Sequence, residues 1–315
     1  MSRATRAAYG QTLNELYAQG IPVVAVDADL SGSTTTAKFG AQHPERLFNA
    51  GIAEANMTDV AAGLALAGHV AFTGSFAVFG TGRAYDQIRN TVCYNRLNVK
   101  LAPTHAGVTV GPDGGSHQML EDIALMRVLP HMRVLVPADF ATARAAIRHA
   151  AVTPGPFYIR LGRAGVPDLY GPDGVTGIDP DSDRFDVCAA RVLRTGSDVS
   201  LFACGVMVSA AIEAAALLAD AGVDAEVVDV MSIKPLDVDT LVASARKTGR
   251  VVTCEEHNVL GGMGSAVSEV LSELCPVPTR RVGVADCFGT SGKPDELLAH
   301  FGLDKHAIAQ AARSF

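Results

Sequence analysis

Short apolar runs alternate with helix-like stretches along this chain, and that order constrains its fold more than any other feature of the 315 residues. The run IPVVAVDA at residues 21–28 has the length and composition of a buried strand. A helical pattern of small residues follows at 54–67, and the same succession recurs in both halves of the chain. Strands that alternate with helices form mostly parallel sheets with helices on both faces. We therefore predict an α/β fold with two doubly wound, mostly parallel-sheet domains.

The other predicted elements continue this alternation. In the first half they are strands at 69–76, 99–104, 132–137 and 157–161, and helices at 83–95, 119–129 and 140–150. In the second half they are strands at 199–203, 225–230, 250–255 and 280–284, and helices at 208–221, 239–246, 264–274 and 295–299. Between 164 and 186 the composition shifts to Gly, Pro and Asp without an apolar period, which is typical of a linker. We predict a first domain over 1–165, a linker over 166–186 and a second domain over 187–315.

Charge, hydropathy and cysteine spacing argue against several classes of protein. The formal net charge is −7, so no basic stripe is available to bind nucleic acid. No run of about 18 apolar residues is present to span a membrane, and the N-terminus lacks the apolar core of a signal peptide. The cysteines show no CxxC pattern, so we expect reduced thiols and not disulfides or a zinc site. These features predict a cytoplasmic protein.

One carboxylate, Glu54, stands between a glycine turn and the helical pattern of small residues at 54–67. A glutamate in the first turn of a helix is also favoured simply by the positive end of the helix dipole. The next apolar strand, however, leads to two phenylalanines, Phe76 and Phe79. A carboxyl group beside a flat apolar pocket suits a weakly basic aromatic heterocycle, whose ring nitrogen it can hydrogen-bond. This pattern predicts a cofactor site.

Two histidines, His105 and His117, enclose the glycine-rich loop THAGVTVGPDGGSHQ, with Asp113 between them. Isolated histidines are usually hydrogen-bonded structural residues. These two follow a predicted strand, and open α/β sheets bind their ligands at the carboxyl ends of strands. Imidazoles in that place can move protons or hold hydroxyl and phosphate oxygens. Metal ligation is the weaker alternative, because no third ligand has a suitable spacing.

Three arginines, Arg6, Arg160 and Arg163, occur singly in mildly apolar segments. Solubility at the surface is the ordinary explanation for such residues. An arginine just past the strand in FYIRLGR is nevertheless well placed to hold a phosphate through two hydrogen bonds. The sequence leaves the choice between Arg160 and Arg163 open.

Together these segments resemble the C-terminal half of transketolase, and more specifically the separate C-terminal subunit of split transketolases. The resemblance covers essentially the whole chain, with motifs such as FNAGIAEANM, GSFAVFGTGRAYDQIR, THAGVTVGPDGGSHQ and TCEEHNVLGGMGSAVSE. It implies a pyrimidine-binding domain followed by a transketolase C-terminal domain. The GDG…N motif, which holds magnesium and the diphosphate of thiamine diphosphate in this family, does not occur in the sequence. The resemblance therefore implies an N-terminal partner subunit that carries this motif, and an α2β2 assembly.

The resemblance also implies roles for individual residues. The glutamate that matches Glu54 hydrogen-bonds N1′ of the aminopyrimidine, drives the ring to its imino form and is catalytic. Phe79 matches the ring that stacks on the pyrimidine, and Phe76 lines the same pocket. The remaining matches concern the substrate: His105 and His117 lie near its reacting carbonyl and hydroxyls, Asp113 reads a sugar hydroxyl, and Arg6, Ser33 and Arg163 or Arg160 contact phosphate or sugar, with Asp29 nearby.

The implied activity is that of a transketolase, the transfer of a two-carbon ketol unit from a ketose phosphate to an aldose. Thiamine diphosphate and Mg²⁺ would be held mainly by the partner subunit, and this chain would supply no metal ligand. The string GPDGGSHQ departs from single-chain transketolases, which leaves the preferred acceptor open. Three alternatives are a transketolase for a specialised sugar, a subunit related to deoxyxylulose-phosphate synthase and a 2-oxoacid dehydrogenase β-like subunit. A more remote alternative is a non-catalytic scaffold.

Overall fold

The computed structural model describes residues 2–171, 174–182 and 184–315. Residue 1 of the predicted first domain and residues 172, 173 and 183 of the predicted linker lie outside the described residues. The strands of the first half are β1 (Ser2–Ala4), β2 (Val23–Asp27), β3 (Leu47–Asn49), β4 (Val70–Gly74), β5 (Val99–Leu101), β6 (Arg133–Leu135), β7 (Phe157–Ile159) and β8 (Gly165–Pro167). Its α-helices are α1 (Ala7–Ala18), α2 (Ser31–Thr34), α3 (Thr36–Gly40), α4 (Glu54–Leu66), α5 (Tyr85–Gln87), α6 (Asp122–Arg127) and α7 (Phe140–Val152).

The second half continues with strands and helices in the same alternation. Its strands are β9 (Arg191–Arg194), β10 (Val199–Ala203), β11 (Ala225–Asp229), β12 (Ser232–Lys234), β13 (Val251–Asn258) and β14 (Thr279–Val284). Its helices are α8 (Met207–Asp220), α9 (Val238–Thr248), α10 (Met263–Leu274), α11 (Pro294–His300) and α12 (Lys305–Arg313). The predicted strand at 199–203 has the observed bounds, and the other predicted strands of this half differ by a few residues at their ends.

Two mostly parallel sheets form the two halves, which confirms the α/β fold class. Within the described residues, seven strands form the first sheet in the order β12-β6-β7-β5-β4-β2-β3, and five form the second in the order β14-β13-β10-β11-β9. Only β12 and β9 run antiparallel to their neighbours in these sheets. All residues of β2 and β4 are buried, as expected of parallel strands that helices cover on both faces.

The sequence did not predict that β12 would join the sheet of the first half. Ser232 and Lys234 pair with Leu135 and Val134 of β6 across the boundary between the halves. The hydrophobic core is continuous across this boundary as well, with Val134 packed in the same cluster as Phe202 and Ile233. The two halves therefore share one sheet and one core.

The helix predicted at 83–95 differs from the structure in both its start and its geometry. The chain turns into a π-helix at Val78–Arg83, passes through α5 and forms a second π-helix at Ile88–Cys93. A π-helical turn spaces side chains differently from the 3.6-residue α-helical period, so this geometry cannot be read from the apolar pattern. The widened turn places Arg83 next to the site described below.

The beginning of the predicted linker is packed against both halves. Here β8 pairs with β1, and Tyr170 is buried. The Tyr170 amide donates to Asp139 Oδ2 at 2.8 Å, and its hydroxyl donates to Asp229 Oδ2 at 2.6 Å. Asp139 is the N-cap of α7, in the first half, and Asp229 is the last residue of β11, in the second half. The beginning of the predicted linker is therefore bound to both halves of the molecule.

Arg160 forms a buried ion cluster between the halves and does not face an open site. Its Nε donates to Asp122 Oδ2 at 2.7 Å, and its Nη2 donates to the carbonyls of Glu256 at 2.9 Å and Met119 at 3.3 Å. The side chain is only 6% exposed. Burial alone would raise the pKa of Asp122, but the charges of Arg160 and His257 hold it below its ordinary value. The expectation that Arg160 contacts a substrate phosphate is therefore corrected, because the side chain is buried and its Nε and Nη2 already donate within the protein.

Two further observations concern the chain as a whole. Each of the six cysteines is free of disulfide bonds. Along the described ranges, no helix has the length and apolar character needed to cross a membrane.

Replacing Asp122 with Ala should destabilise the protein strongly, because the buried Arg160 guanidinium would lose its charged partner. We expect the free energy of unfolding to fall by about 3–5 kcal/mol in chemical denaturation. The control is Glu269→Ala, which removes the exposed partner of Arg127 and should cost at most about 1 kcal/mol. Equal, small losses in both variants would contradict the structural role assigned to Arg160.

Candidate active site

The candidate site lies at the carboxyl ends of the central strands of the first sheet. Asp29 follows β2, Phe76 follows β4 and His105 follows β5. Since β2, β4 and β5 are neighbouring parallel strands, these residues reach the same edge of the sheet. The edge is therefore the place where side chains from distant parts of the sequence converge.

Glu54 is the first residue of α4, and its side chain is only 2% exposed. Its Oε2 accepts a hydrogen bond from Arg83 Nη1 at 2.9 Å. The Arg83 side chain is 53% exposed, and its guanidinium carbon lies 4.8 Å from the centre of the Phe79 ring. The carboxylate thus has one charged partner, which is held at the solvent side of an aromatic ring. The sequence did not single out Arg83.

Aromatic rings form a flat-walled region beside this pair. The Phe76 and Phe79 rings are 13° from parallel with centres 6.2 Å apart. The His105 ring stacks on Phe76 at 3.8 Å, and the His117 ring meets Phe79 edge-on at 5.3 Å. The structure therefore brings the two predicted phenylalanines and the two predicted histidines into one contact group.

His105 is a neutral imidazole in this arrangement. It is 2% exposed, its Nδ1 lies 2.7 Å from Thr104 Oγ1, and its Nε2 lies 3.3 Å from Arg6 Nη1. An arginine can only donate, so Nε2 accepts and the proton is assigned to Nδ1. Burial, followed by the charges of Arg6, Arg163 and His117, lowers the pKa of His105 to about 3. At neutral pH the uncharged His105 ring can therefore donate a hydrogen bond from Nδ1 and accept one at Nε2.

Two guanidinium groups, those of Arg6 and Arg163, stand close to this imidazole. Burial and then the charge of Arg163 lower the pKa of Arg6. Arg163 donates to the Val110 carbonyl, and its Nη1 lies 3.9 Å from Asp113 Oδ1. Like charges held near one another favour the binding of an anion between or beside them.

Two other predicted substrate residues take part in less direct ways. Ser33 contacts Arg6 through its backbone, since its carbonyl accepts from Arg6 Nη1 at 2.8 Å. Asp29 is exposed and has positive φ (62°), and its amide donates to Asn49 Oδ1 at 3.1 Å. Asn49 ends β3, so this contact fixes the rim of the site.

The loop that carries Asp113 and His117 is anchored by the second half of the chain. Glu256 Oε1 accepts from the Thr109 amide at 2.6 Å, and Gln118 Nε2 donates to the Thr290 carbonyl at 2.8 Å. A side chain at Gly107 would not fit, because its Cβ would lie 2.2 Å from the Glu256 carboxyl carbon. Glu256 and Gln118 were not predicted as site residues, although both lie in the motifs that carry the resemblance.

The residues present fit the aminopyrimidine end of thiamine diphosphate. Glu54 supplies a buried carboxyl group, and Phe76 and Phe79 supply flat faces. The Ser75 hydroxyl, adjacent in sequence to Phe76, is buried without a hydrogen-bond partner in the described part of the chain. A polar ligand with ring nitrogens and an amino group would supply such a partner. In the same described part, no group of three or more His, Cys, Asp or Glu residues is placed to hold a metal ion.

Comparison with known proteins agrees with this geometry. Residues 1–168 match the family described as the transketolase pyrimidine binding domain, and residues 189–308 match the transketolase C-terminal domain. A transketolase C-terminal section of Methanocaldococcus jannaschii is 43% identical over 98% of this chain and 95% of its own length. The 6-deoxy-6-sulfo-D-fructose transketolase subunit SqwH of Clostridium sp. (strain MSTE9) is also 43% identical, over 98% of this chain and 92% of its own.

A solved structure provides a third comparison. It is described as a split-gene transketolase in an inactive beta4 tetramer, and it superposes with a TM-score of 0.88 at 49% identity. The match covers 100% of this chain and 98% of that one. The two domain families, the full-length relatives and this structure agree, and the chain therefore belongs to the transketolase family as a C-terminal subunit of the split type.

Proposed function

We propose that this chain is the pyrimidine-binding subunit of a two-chain transketolase, which transfers a two-carbon ketol unit from a ketose phosphate to an aldose. The observation that carries the proposal is the placement of Glu54. Its buried carboxyl group opens α4 beside the Phe76–Phe79 rings, while two arginines stand near His105 on the same sheet edge. A cofactor-activating acid and an anion-binding pair thus belong to one site.

The second chain of the proposed enzyme is an N-terminal transketolase subunit that carries the GDG…N motif. It would hold the diphosphate of thiamine diphosphate and Mg²⁺, and the two kinds of subunit would form an α2β2 heterotetramer. Support comes from relatives of the same length that are named as a C-terminal section or as a subunit. A similar chain forms a beta4 tetramer that its description calls inactive.

When bound, thiamine diphosphate supplies the nucleophilic carbon that carries the ketol unit. The Glu54 carboxyl group would hold a proton at N1′ of the aminopyrimidine, with Phe79 against the face of the ring. In the structure Arg83 donates to Glu54 Oε2, so the pyrimidine would either use the other carboxylate oxygen or displace Arg83. Its half-exposed side chain has solvent on one side into which it can move.

The substrate would extend from this region towards the arginines. Arg6 and Arg163 would hold its phosphate, Asp113 would accept from a sugar hydroxyl, and the two histidines would contact the reacting carbonyl and its neighbouring hydroxyls. The neutral His105 ring, with its proton on Nδ1, presents Nε2 as an acceptor towards Arg6 and the site. It can therefore accept a hydrogen bond from a substrate hydroxyl when Arg6 turns to the phosphate.

A second candidate donor is a ketose that carries a sulfonate in place of the phosphate. One relative is named for 6-deoxy-6-sulfo-D-fructose, and a guanidinium pair binds a sulfonate through the same oxygen contacts as a phosphate. Turnover of xylulose 5-phosphate, the sulfonated ketose and pyruvate by the two-chain enzyme would separate these donors. Preferred turnover of pyruvate would overturn the transketolase proposal.

Replacing Glu54 with Gln should abolish most turnover in the complete two-chain enzyme. We expect kcat to fall by about 10²- to 10⁴-fold, because the amide cannot exchange a proton with the pyrimidine. Steady-state assays and thermal unfolding should be compared with Asp59→Asn, an exposed change on the same helix that should keep full activity. Wild-type turnover by the Gln variant would rule out this catalytic role.

Replacing Arg163 with Gln should weaken the binding of the phosphorylated donor and leave the fold intact. Loss of a charged hydrogen bond predicts a KM about 10- to 100-fold higher, with a smaller change in kcat. Arg246→Gln, at an exposed position of α9, is the matched control. If KM is unchanged for phosphorylated ketoses, the phosphate is bound elsewhere.

The His105 imidazole should remain neutral across the physiological range, because burial and nearby cations lower its pKa to about 3. Imidazole ¹⁵N chemical shifts should therefore show no protonation of His105 between about pH 5 and 8. In Arg6→Gln the pKa should rise, since one neighbouring positive charge is removed. His105→Gln identifies the resonance, and an inflection near pH 6.5 in the wild-type chain would contradict the assigned electrostatics.

A further inference from the structure

A second cavity lies at the opposite end of the first sheet from the candidate active site. It encloses about 570 Å³ where β5, β6 and β7 begin and where β12 ends. The volume is within the range of pockets that bind small organic molecules. Because β12 comes from the second half of the chain, the cavity lies where the two halves join.

Basic side chains dominate the polar lining of this cavity. Arg96, His131, Arg133 and Lys234 all contribute to it, and no acidic residue lines it. This concentration is unusual in a chain whose formal net charge is −7. The cavity is therefore a local concentration of basic side chains in a protein whose net charge is negative.

Within the described residues, these cations are bound to neutral atoms and not to carboxylates. Arg133 Nη1 donates to the Pro154 carbonyl at 2.8 Å, and Arg96 Nε donates to His131 Nε2 at 3.2 Å. Lys234 Nζ donates to the carbonyls of Arg127 and Leu129. These contacts hold the cationic groups in fixed orientations, which lowers the entropic cost of binding an anion. They do not neutralise the positive charges, which remain available to an anion.

A buried lysine lies behind the cavity wall. Lys100 is fully buried, and its Nζ donates to the carbonyls of Thr153 and Gly155. Lys100 Nζ and Arg133 Cζ lie 4.6 and 4.9 Å from the centre of the same ring, that of Phe157. Burial and then the charge of Arg133 lower the pKa of Lys100 to about 7. In the described part of the chain, the nearby Asp186 accepts from the Cys188 amide at 2.8 Å and forms no ion pair with Arg96, Arg133 or Lys234.

The remaining walls are apolar and rigid. Pro154, Pro156 and Pro235 line the cavity together with Met132. Rigid apolar walls beside fixed cations suit a ligand that has both an anionic end and an organic body. We propose that this cavity is a second ligand site, which binds a small organic phosphate and is separate from the substrate site.

Calorimetric titration of the purified full-length chain tests the proposal, with inorganic pyrophosphate and ADP as probes. Both should bind, and Arg96→Gln/Arg133→Gln should weaken each by at least about tenfold. Arg246→Gln, at an exposed position of α9, should keep wild-type affinity, and Arg163→Gln, which alters the substrate site, should keep the binding that the double variant loses. Arg133→Lys, which keeps the charge, should lose less affinity than Arg133→Gln.

Several results would overturn the assignment. Affinity that falls only in Arg163→Gln would place the anion in the substrate site. The absence of binding to the wild-type chain at about 10 mM probe, or equal binding by the wild type and the double variant, would show that the cavity is no anion site. ADP that binds more than about tenfold more weakly than pyrophosphate would refute the organic-phosphate class. Thermal unfolding verifies that each variant is folded, and Arg96→Gln alone provides the test if the double variant is not.

Discussion

The rest of the site depends on the hydrogen bonds that the buried Arg160 guanidinium makes to both halves of the chain. The guanidinium reaches Asp122 in the first half of the chain and the Glu256 carbonyl in the second. The Glu256 carboxylate accepts from the Thr109 amide and so fixes the loop that leads to Asp113. A charge left unpaired in the interior is costly, so the two halves cannot separate here without a large loss of stability. The position of the loop that carries Asp113 and His117 is thereby coupled to the junction between the halves.

The substrate edge of the sheet carries more positive charge than its own groups compensate. Burial and then the charge of Arg163 lower the pKa of Arg6, and burial with the charges of both arginines holds His105 in its neutral form. Asp113 is 3.9 Å from Arg163 and about one-third exposed, so it compensates this charge only in part. An incoming phosphate would relieve the repulsion between the arginines. This arrangement therefore favours an anionic ligand, because its charge would complete an electrostatic arrangement that the protein leaves incomplete.

The sequence predicted those parts of the structure that depend on local pattern. The strand at 199–203 is an apolar run with a helix behind it, and its predicted bounds match β10. The strand β12 was missed because three residues carry no period and their partner lies about 100 positions away, in β6. Arg160 and Arg163 are equivalent in sequence, and only burial reveals that the first is a structural ion-pair partner. Arg83 and Glu256 were missed for a related reason, since their contacts join positions 29 and 147 residues apart.

The ion pair between Glu54 and Arg83 reconciles two opposing demands on this chain. The proposed chemistry needs a carboxyl group in an apolar pocket, yet an isolated buried carboxylate would destabilise the chain before any cofactor arrives. Arg83 removes that conflict, because it pairs with Glu54 Oε2 while half of its own side chain remains in solvent. The contact with the Phe79 ring restricts the movement of the Arg83 guanidinium. A pyrimidine ring that stacked on Phe79 would compete with Arg83 for this ring. A pyrimidine that hydrogen-bonds Glu54 and stacks on Phe79 would thus approach both contacts of Arg83, and until it binds the buried carboxylate keeps a charged partner.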